Sequence, residues 1–330
     1  MKAIVYRKYG GPEVLHLTEL GVPKPGPHQV LVKVRATSIN SADSRLMRAD
    51  PFLVRLFNGL FRPKKRQVLG QDVAGVVTEL GPGVTRFSVG DEVFGETPMN
   101  AQGAFAEYTL VEERSVARKP TALTFDEAAA VPLAGITALQ ALRDLGKVTA
   151  GDRVLIVGAG GGVGGFAVQI ARMLGAHVTA VCGPRSVELV RSLGAHEIID
   201  YSTQDLARSD ATWNTLIAIN GYHSVLTYRR LLAPGGRYVM VGGTSAQLFQ
   251  ALLFAKPLFA LEGKRGAALT LDDARRAEDL AQLSSWLESR AMRVVIERRY
   301  TLEKVAEAMA HVEAGHVKGK VVLTVGSSAV

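Results

Sequence analysis

The sequence predicts an α/β protein in which a doubly wound parallel sheet accompanies a β-rich barrel or sandwich. Residues 154–157 form a continuous apolar run, typical of a parallel strand buried on both faces, and lead into a glycine cluster and an amphipathic helix. Strand and helix patterns alternate after Lys119 and Pro120. Before that point, short strand patterns are separated by frequent proline and glycine turns.

The β-rich part occupies about the first 120 residues. Residues 30–36 alternate between apolar and polar side chains, as a half-buried strand does, and residues 91–94 do so more roughly. Proline and glycine at 24–27 and 81–83 mark turns. A helix is predicted from Ala42 to about residue 60, although Pro51 weakens it.

The α/β part follows in regular order. After the glycine cluster, Val163, Ala167, Ile170 and Leu174 share one helix face, and Gly175 ends the helix. Further strands are predicted at 177–182, near 198–199, at 215–219 and at 237–241, with a helix at 184–193. After about residue 271 the pattern predicts a helix over 272–289, a strand over 294–296, a helix over 302–312 and a strand over 320–325, and these elements can return to the first domain.

Composition bounds the class of protein. A length of 330 residues suits about two domains, and 47% hydrophobic with 21% charged residues excludes a disordered or collagen-like chain. The single cysteine, Cys182, excludes an internal disulfide and a four-cysteine zinc site. The longest apolar stretch, near 248–261, is broken by Lys256 and Pro257 and is too short to span a bilayer. We therefore expect a soluble, cytoplasmic protein with no membrane partner.

The positive charge favours a small anionic ligand over nucleic acid. The chain has 39 Lys and Arg against 31 Asp and Glu, a net charge of +8. These basic residues are spread along the chain, except for a dense cluster at 62–66 that we interpret as a solvated loop. A diffuse positive balance suits a protein that binds an anionic small molecule, and no nucleic-acid partner is expected.

The glycine cluster after the buried strand predicts a dinucleotide site. The G-x-G-x-x-G spacing fits in two registers, one through Ala159, Gly161 and Gly164 and one shifted by a residue. Its place between a strand and a helix is what the fingerprint requires. Residues without side chains let the backbone approach a pyrophosphate, which the helix N-terminus stabilises. The alternative is a tight glycine turn that binds no nucleotide.

The end of the next strand favours NADPH over NADH. NAD sites place Asp or Glu about 20 residues after the glycines, where it bonds the ribose 2′-hydroxyl. Here the first carboxylate is Glu188, whereas Arg185 can offer a bidentate contact to a 2′-phosphate. Arg185 is otherwise simply a solvated residue in the first turn of a helix.

The chain resembles the medium-chain dehydrogenase/reductase superfamily, and within it the zinc-free quinone oxidoreductase and enoyl reductase branch. The resemblance covers nearly the whole chain. It rests on stretches at 10–15, 38–43, 70–75, 90–95, 132–138, 159–164 and 319–323. It implies a GroES-like β-rich catalytic domain at 1–121 and 272–330, and a Rossmann NADP-binding domain at 122–271. It also selects the glycine register that begins at Ala159.

The resemblance also implies an enzyme without zinc. Zinc-dependent members carry Cys where this chain has Asn40, His where it has Gln71, and Cys or Asp near Leu133. The cysteine-rich lobe that holds a structural zinc is missing, and the seven histidines form no ligand cluster in the sequence. No metal site is therefore expected.

Residue roles follow from the resemblance. It implies that Asn40 and Thr137 contact the nicotinamide and form the catalytic pair. The remaining cofactor contacts that it implies are Ala159, Gly161, Gly162, Val163, Gly164, Arg185, Ser186, Tyr201, Asn220, Gly221, Val241, Gly242 and Lys320. Three of the residues with predicted roles have simpler alternatives: Asn40 as a helix cap, Tyr201 as a strand-end aromatic, and Lys320 as a surface lysine.

Departures from the family pattern bear on the substrate. Gly183 and Pro184 replace hydroxyl residues of the phosphate loop, which weakens the expected phosphate site. Enoyl-thioester reductases carry a Tyr proton donor after the Asn40 motif, but residues 49–61 contain no Tyr and offer Phe52, Phe57 and Phe61 instead. This favours a small apolar electrophile, a quinone or an activated enone.

The sequence leaves two alternative functions open and also predicts an oligomer. The alternatives are a non-catalytic NADPH-binding sensor or stabiliser, and an enoyl-thioester reductase. A homodimer is expected through an edge strand near residues 267–271, because an unpaired edge of a Rossmann sheet needs covering.

Overall fold

The chain folds into two compact units. The computed structural model describes residues 1–64, 67–97, 102–243 and 245–326. Met1–Ile136 and Asp273–Val330 form the first unit, which we call the terminal unit because it contains both chain ends. Thr137–Asp272 form the second, which we call the central unit. The domain limits predicted from the sequence, 121/122 and 271/272, stay predictions beside this division.

The terminal unit is built mainly of strands. They are β1 (Lys2–Val5), β2 (His16–Glu19), β3 (Gln29–Ile39), β4 (Asp72–Leu80), β5 (Glu92–Glu96), β6 (Tyr108–Glu112), β7 (Val116–Arg118), β14 (Ile296–Thr301) and β15 (Lys320–Thr324). Seven form one sheet in the order β14-β15-β3-β4-β5-β7, with β6 also paired to β3, and β1 pairs with β2. Apart from the parallel β14–β15 pair, these pairings are antiparallel. The inward residues of β3, including Val30, Val32 and Val34, join the core of this unit.

The return of the chain to the terminal unit places β15 beside β3. Val321 pairs with Ile39 and Thr324 with Ala36 in an antiparallel register. The first residue of β15 is therefore close to the last residues of β3. This pairing confirms that the C-terminal elements rejoin the first domain.

The central unit is a six-stranded sheet in which every pairing is parallel. Its strands are β8 (Arg153–Val157), β9 (His177–Cys182), β10 (Glu197–Asp200), β11 (Trp213–Ile219), β12 (Leu232–Val241) and β13 (Arg265–Ala268). Their spatial order is β10-β9-β8-β11-β12-β13. This is the 3-2-1-4-5-6 order of a doubly wound sheet, whose topological switch lies between β8 and β11.

Helices connect or cover these strands. They are α1 (Ser41–Arg48), α2 (Val54–Asn58), α3 (Phe125–Ala129), α4 (Pro132–Gln140), α5 (Gly162–Met173), α6 (Val187–Ser192), α7 (Val225–Arg230), α8 (Ser245–Gln250), α9 (Lys256–Ala260), α10 (Arg276–Glu288) and α11 (Val305–Glu313). Within the described ranges, no helix combines the length and apolar character needed to cross a membrane.

The single helix predicted from Ala42 to about residue 60 is wrong. The chain instead forms α1 and α2, separated by Ala49 in the left-handed conformation (φ 53°) and by Pro51. Proline supplies no N–H to a helical ladder and restricts the residue before it, so the continuous helix is interrupted there. Elsewhere the predicted strands at 30–36, 154–157 and 177–182 are confirmed within β3, β8 and β9.

Candidate functional site

A buried polar cluster lies at the carboxyl end of β3 in the terminal unit. We call its three central residues, Asn40, Asp72 and Lys320, the Asn40 cluster. Asn40 follows β3, Asp72 begins β4 and Lys320 begins β15, so three strand ends bring them together. All three side chains are buried, and Asp72 is fully so.

Asp72 accepts hydrogen bonds on both carboxylate oxygens. Its Oδ2 accepts from Asn40 Nδ2 at 2.8 Å, from the Ser38 hydroxyl, and from Lys320 Nζ at 3.3 Å. Its Oδ1 accepts from the backbone N–H of Leu133 at 2.8 Å. A buried carboxylate needs a countercharge and hydrogen-bond donors, and Lys320 and these donors provide both.

Lys320 completes the cluster. Its Nζ donates to Asn40 Oδ1 at 2.6 Å and its side chain is only 4% exposed. The alternative that Lys320 is a surface lysine is therefore wrong. The Asn40 amide lies between an anion and a cation, so its orientation is set: the NH₂ group faces Asp72 and the oxygen faces Lys320.

Asn40 also starts a helix, as its simpler interpretation expects. It is the N-cap residue of α1, and its backbone N–H donates to Asp43 Oδ2 at 2.9 Å. The other oxygen of Asp43 accepts from the Gly70 N–H at 2.9 Å, which ties the start of α1 to the chain before β4. Capping and the contacts to Asp72 and Lys320 thus coexist at Asn40.

A second buried carboxyl lies next to Asp72 on the neighbouring strand. Glu96 of β5 pairs in register with Asp72 of β4. Burial raises the pKa of Glu96 to about 8, while Arg276 acts against this shift and Asp72 adds to it. Glu96 Oε2 lies 3.3 Å from an Arg276 guanidinium nitrogen. Glu96 Oε1 and Arg276 Nε are buried without a hydrogen-bond partner among the described residues. This carboxyl therefore keeps much of its proton near neutral pH.

The glycine loop of the central unit has the geometry of a nucleotide cradle. Gly161 is the N-cap of α5, and a Cβ built there would meet only the Gly158 carbonyl oxygen, at 3.7 Å. At Gly164 a Cβ would lie 2.2 Å from that oxygen, so this glycine is needed for packing of helix against strand. Open space at Gly161, above the N-terminus of a 12-residue helix, fits a pyrophosphate. The neighbours Gly162 and Val163 form the first turn of α5, and Ala159 is fully buried beneath it.

The other predicted cofactor residues of the central unit follow the carboxyl ends of its strands. Ser186 comes after β9, and a Cβ on Gly160 would lie 2.5 Å from its hydroxyl. Tyr201 comes after β10, with its hydroxyl 2.5 Å from a Cβ built on Gly183. Asn220 and Gly221 follow β11, and the Asn220 N–H donates to the Val241 carbonyl, next to Gly242, at 3.2 Å. In doubly wound sheets this edge binds the ligand.

Arg185 and Thr137 lie at separate places in the central unit. Arg185 is exposed in a turn of 3₁₀ helix after β9, where Gly183 and Pro184 precede it and no carboxylate does. Thr137 lies within α4 and is 8% exposed. Glu188, the first acid after β9, forms an ion pair with Arg191 on α6.

Two functional candidates escaped the sequence reasoning. Asp72 lies within residues 70–75, one of the stretches that carry the resemblance, but the sequence predicts no role for Asp72 or for Glu96. A signal existed for Asp72, since it opens an otherwise apolar strand pattern, Val73-Ala74-Gly75-Val76-Val77. Of the basic cluster at 62–66, Arg62 and Lys64 are exposed, and Lys65 and Arg66 lie outside the described residues.

Comparison with known proteins identifies the family to which the chain belongs. The alcohol dehydrogenase GroES-like domain matches residues 26–121 and the zinc-binding dehydrogenase domain matches residues 193–323. Human NAD(P)H oxidoreductase RTN4IP1, mitochondrial, is 33% identical over 98% of this chain and 89% of that protein. The chain belongs to the medium-chain dehydrogenase/reductase superfamily. This confirms the GroES-like and Rossmann folds predicted from the sequence.

Other members of the superfamily point to the same branch. The chloroplast envelope quinone oxidoreductase homolog of Arabidopsis thaliana is 31% identical over 98% of each chain. The quinone oxidoreductase of Coxiella burnetii superposes with a TM-score of 0.89 and 30% identity over 99% of both chains. This member of the superfamily is therefore a quinone oxidoreductase-like NAD(P)H oxidoreductase, with a pyridine nucleotide as cofactor. In the part of the chain that the structure describes, no group of three or more His, Cys, Asp or Glu could hold a metal ion.

Proposed function

We propose that the protein reduces quinones or activated enones by hydride transfer from NADPH, without zinc. The Asn40 cluster carries this proposal. Both polar atoms of the Asn40 amide, and the N–H of Leu133, are engaged by Asp72 or Lys320, at positions where zinc-dependent relatives place ligands. A metal would have to break this buried network to bind there.

The proposed cofactor fits the residues of the central unit. Gly161 leaves room for the pyrophosphate at the start of α5, and the chain after β9 offers the exposed Arg185. When bound, NADPH supplies a hydride to an electron-poor carbon of the substrate. A proton from water or the cofactor ribose completes the product, so one hydride and one proton convert a quinone to a hydroquinone.

In this proposal the side chains of the chain position the cofactor and substrate and balance their charges, and none of them reacts covalently. Asp72 and Lys320 hold the Asn40 amide in one orientation, with fixed dipoles in a buried setting. Ser186, Arg185 and Tyr201 would surround the 2′-phosphate after β9 and β10. No side chain is assigned as a proton donor.

A substrate panel tests the proposal. Purified protein should oxidise NADPH with quinones and enones, at unchanged rate in the presence of a chelator. Absence of turnover with every quinone and enone, together with tight NADPH binding, would instead show a nucleotide-binding protein without catalysis. An enoyl thioester belongs in the panel, because enoyl-thioester reduction is the alternative activity.

Cofactor choice is tested at Arg185. We expect Arg185→Ala to raise the KM for NADPH by about 10- to 100-fold, since hydrogen bonds to charged groups contribute about 1.5–3 kcal/mol. The KM for NADH should change little. Arg191→Ala on α6 is the matched control, because Arg191 pairs with Glu188. Equal effects of Arg185→Ala on both nucleotides would contradict the assignment of the 2′-phosphate site.

The cytoplasmic location also stays a proposal. Several relatives carry mitochondrial or chloroplast names, which concern those proteins.

A further inference from the structure

A group of large apolar side chains is exposed on the terminal unit. Phe52, Phe57 and Phe61 are 63%, 73% and 86% exposed. Three leucines of the same segment are also exposed, and we call the six the apolar surface: Phe52, Leu53, Leu56, Phe57, Leu60 and Phe61. Single exposed apolar residues are ordinary, but six within ten positions mark an interaction site.

The segment that carries the apolar surface is held firmly against the unit. Asn58 is 5% exposed and donates from Nδ2 to the Tyr6 hydroxyl at 2.8 Å. The Tyr9 hydroxyl donates to the Gly59 carbonyl at 2.7 Å. The Arg55 guanidinium lies over the Tyr9 ring, 4.8 Å from its centroid. These contacts fix the inner side of the segment, so its phenylalanines and leucines are directed outward by the fold.

Positive charge adjoins the apolar surface. Residues 51–71 contain five basic side chains and no Asp or Glu, a net charge of +5. Arg62 and Lys64 follow Phe61 directly and are exposed. Among the ion pairs of the described ranges, none involves Arg62 or Lys64. The two are therefore available to an anionic partner.

We propose that the apolar surface, with Arg62 and Lys64, binds the surface of an anionic lipid bilayer. Phenylalanine and leucine beside lysine and arginine is the composition of segments that lie in the membrane interface. The apolar side chains enter the region between headgroups and acyl chains, while the cations contact lipid phosphates. The expectation of no membrane partner rested on the absence of a spanning stretch, which does not bear on surface binding.

The observations favour a bilayer over other occupants. In a symmetric contact between two copies, the same patch recurs on both sides, so a segment of net charge +5 would face a second segment of net charge +5. A side chain that lines a ligand pocket is largely enclosed, whereas Phe61 is 86% exposed. A second exposed apolar run, which includes Phe249 and Phe254, has only two lysines and one glutamate between residues 245 and 264, so charge does not select an anionic partner there.

Vesicle flotation tests the proposal with the full chain and no cofactor or quinone, so its outcome is independent of the proposed reaction. The probes are phosphatidylcholine vesicles and vesicles in which about one third of the lipid is phosphatidylglycerol. We expect binding to the anionic vesicles, at least about tenfold weaker binding to neutral ones, and release by salt. The double variant Phe57→Ser, Phe61→Ser should reduce binding to anionic vesicles by about tenfold or more.

Matched variants distinguish binding through the apolar surface from nonspecific hydrophobic adsorption to vesicles. Phe249→Ser with Phe254→Ser removes two exposed phenylalanines of the central unit and should leave binding unchanged. Arg62→Glu with Lys64→Glu should abolish the preference for anionic lipid, whereas Lys304→Glu, at another exposed position, should not. Thermal melting of each variant verifies that it folds.

Three outcomes would overturn the proposal. In the first two, the wild type binds neither kind of vesicle, or binds both equally well. The third outcome is that Phe57→Ser with Phe61→Ser and Phe249→Ser with Phe254→Ser lose equal amounts of vesicle binding. A fall in solution mass on Phe57→Ser with Phe61→Ser, without vesicle binding by the wild type, would assign the surface to a second copy of the chain.

Discussion

Asp72 and Lys320 form a buried ion pair. Their side chains are 0% and 4% exposed, and Asn40 lies between them with a hydrogen bond to each. Removing one partner of such a pair leaves an uncompensated buried charge, whereas removing both does not. The energetic signature of the Asn40 cluster is therefore strong coupling between the two positions.

A double-mutant cycle should show this coupling. We expect Asp72→Asn or Lys320→Met alone to destabilise the terminal unit by about 3–5 kcal/mol, the cost of a lone buried charge. The double variant should recover roughly 1–3 kcal/mol of the summed loss. Urea unfolding followed by fluorescence measures the free energies of unfolding. Additive losses would contradict a direct interaction between the two side chains.

Glu96 makes stability depend on pH. Its pKa is raised from 4.5 to about 8, so between these values the folded chain holds a proton that the unfolded chain has released. The contribution of Glu96 to stability is then full below about pH 4.5 and is lost as pH rises towards about 8. Each unit of pKa shift corresponds to about 1.4 kcal/mol, which puts the effect at a few kcal/mol.

Glu96→Gln removes this proton. We expect the Tm of the wild type to fall more steeply than that of Glu96→Gln between about pH 5 and about pH 8. Differential scanning calorimetry at a series of pH values measures both slopes. Glu79→Gln, at an exposed position of the neighbouring strand β4, is the control and should follow the wild type. Parallel curves for wild type and Glu96→Gln would mean that Glu96 is ionised throughout.

At the scale of elements, the parallel sheet collects the nucleotide residues. Every strand from β8 to β12 is followed at its carboxyl end by at least one residue predicted to contact the cofactor. The direction of the strands alone brings these loops to one edge. The junction between β8 and α5 adds the helix N-terminus, where an anion is stabilised by free N–H groups.

Two glycines of that junction should behave differently. Gly164→Ala places a methyl group 2.2 Å from the Gly158 oxygen, which forces helix and strand apart and should cost about 1–3 kcal/mol of stability. Gly161→Ala has open space and should melt within a degree or two of the wild type, yet bind NADPH about tenfold or more weakly, because its methyl group blocks the backbone approach. Thermal melts and cofactor fluorescence titrations give the two readouts. Unchanged NADPH affinity in Gly161→Ala would place the pyrophosphate elsewhere.

At the scale of the whole molecule, β13 is the edge of the central sheet. It pairs with β12 on one side, and it overlaps the segment near 267–271 where the sequence predicts a dimer contact. The Leu269 N–H donates to the Met240 carbonyl, so the N–H of the preceding residue, Ala268, points away from β12. This amide is available for pairing with the same edge of another copy.

The predicted homodimer follows from this edge. We expect light scattering after size exclusion to give twice the mass of the chain. Ala268→Pro should give the monomer mass with little loss of stability, because proline removes an outward N–H and no bond to β12. Ala267→Pro is the contrasting variant, since its N–H belongs to the ladder and its loss should destabilise the sheet. A monomeric wild type would contradict the predicted dimer.

Much of the architecture was predictable because its signals are local. An apolar run of strand length, a glycine cluster and an amphipathic helix follow one another within residues 154–174, and these patterns predict β8 and α5 directly. The prediction of one helix over 42–60 is wrong for a local reason too, since Ala49 is left-handed and Pro51 interrupts the helical hydrogen bonds. The family resemblance supplied most of the site residues, but it gave Asp72 no role.

The sequence by itself determined the β-rich part, the α/β alternation and the nucleotide loop, because periodicity and glycine spacing act over a few residues. The resemblance to the superfamily added the GroES-like and Rossmann assignments and most residue roles. Only the tertiary structure decided that Asp72 joins Asn40, Leu133 and Lys320, which are far apart along the chain and meet where strands pair. It also decided that Glu96 holds a raised pKa and that Phe57 and Phe61 face solvent. Burial and charge pairing depend on distant neighbours, and these are set by the packing of the whole unit.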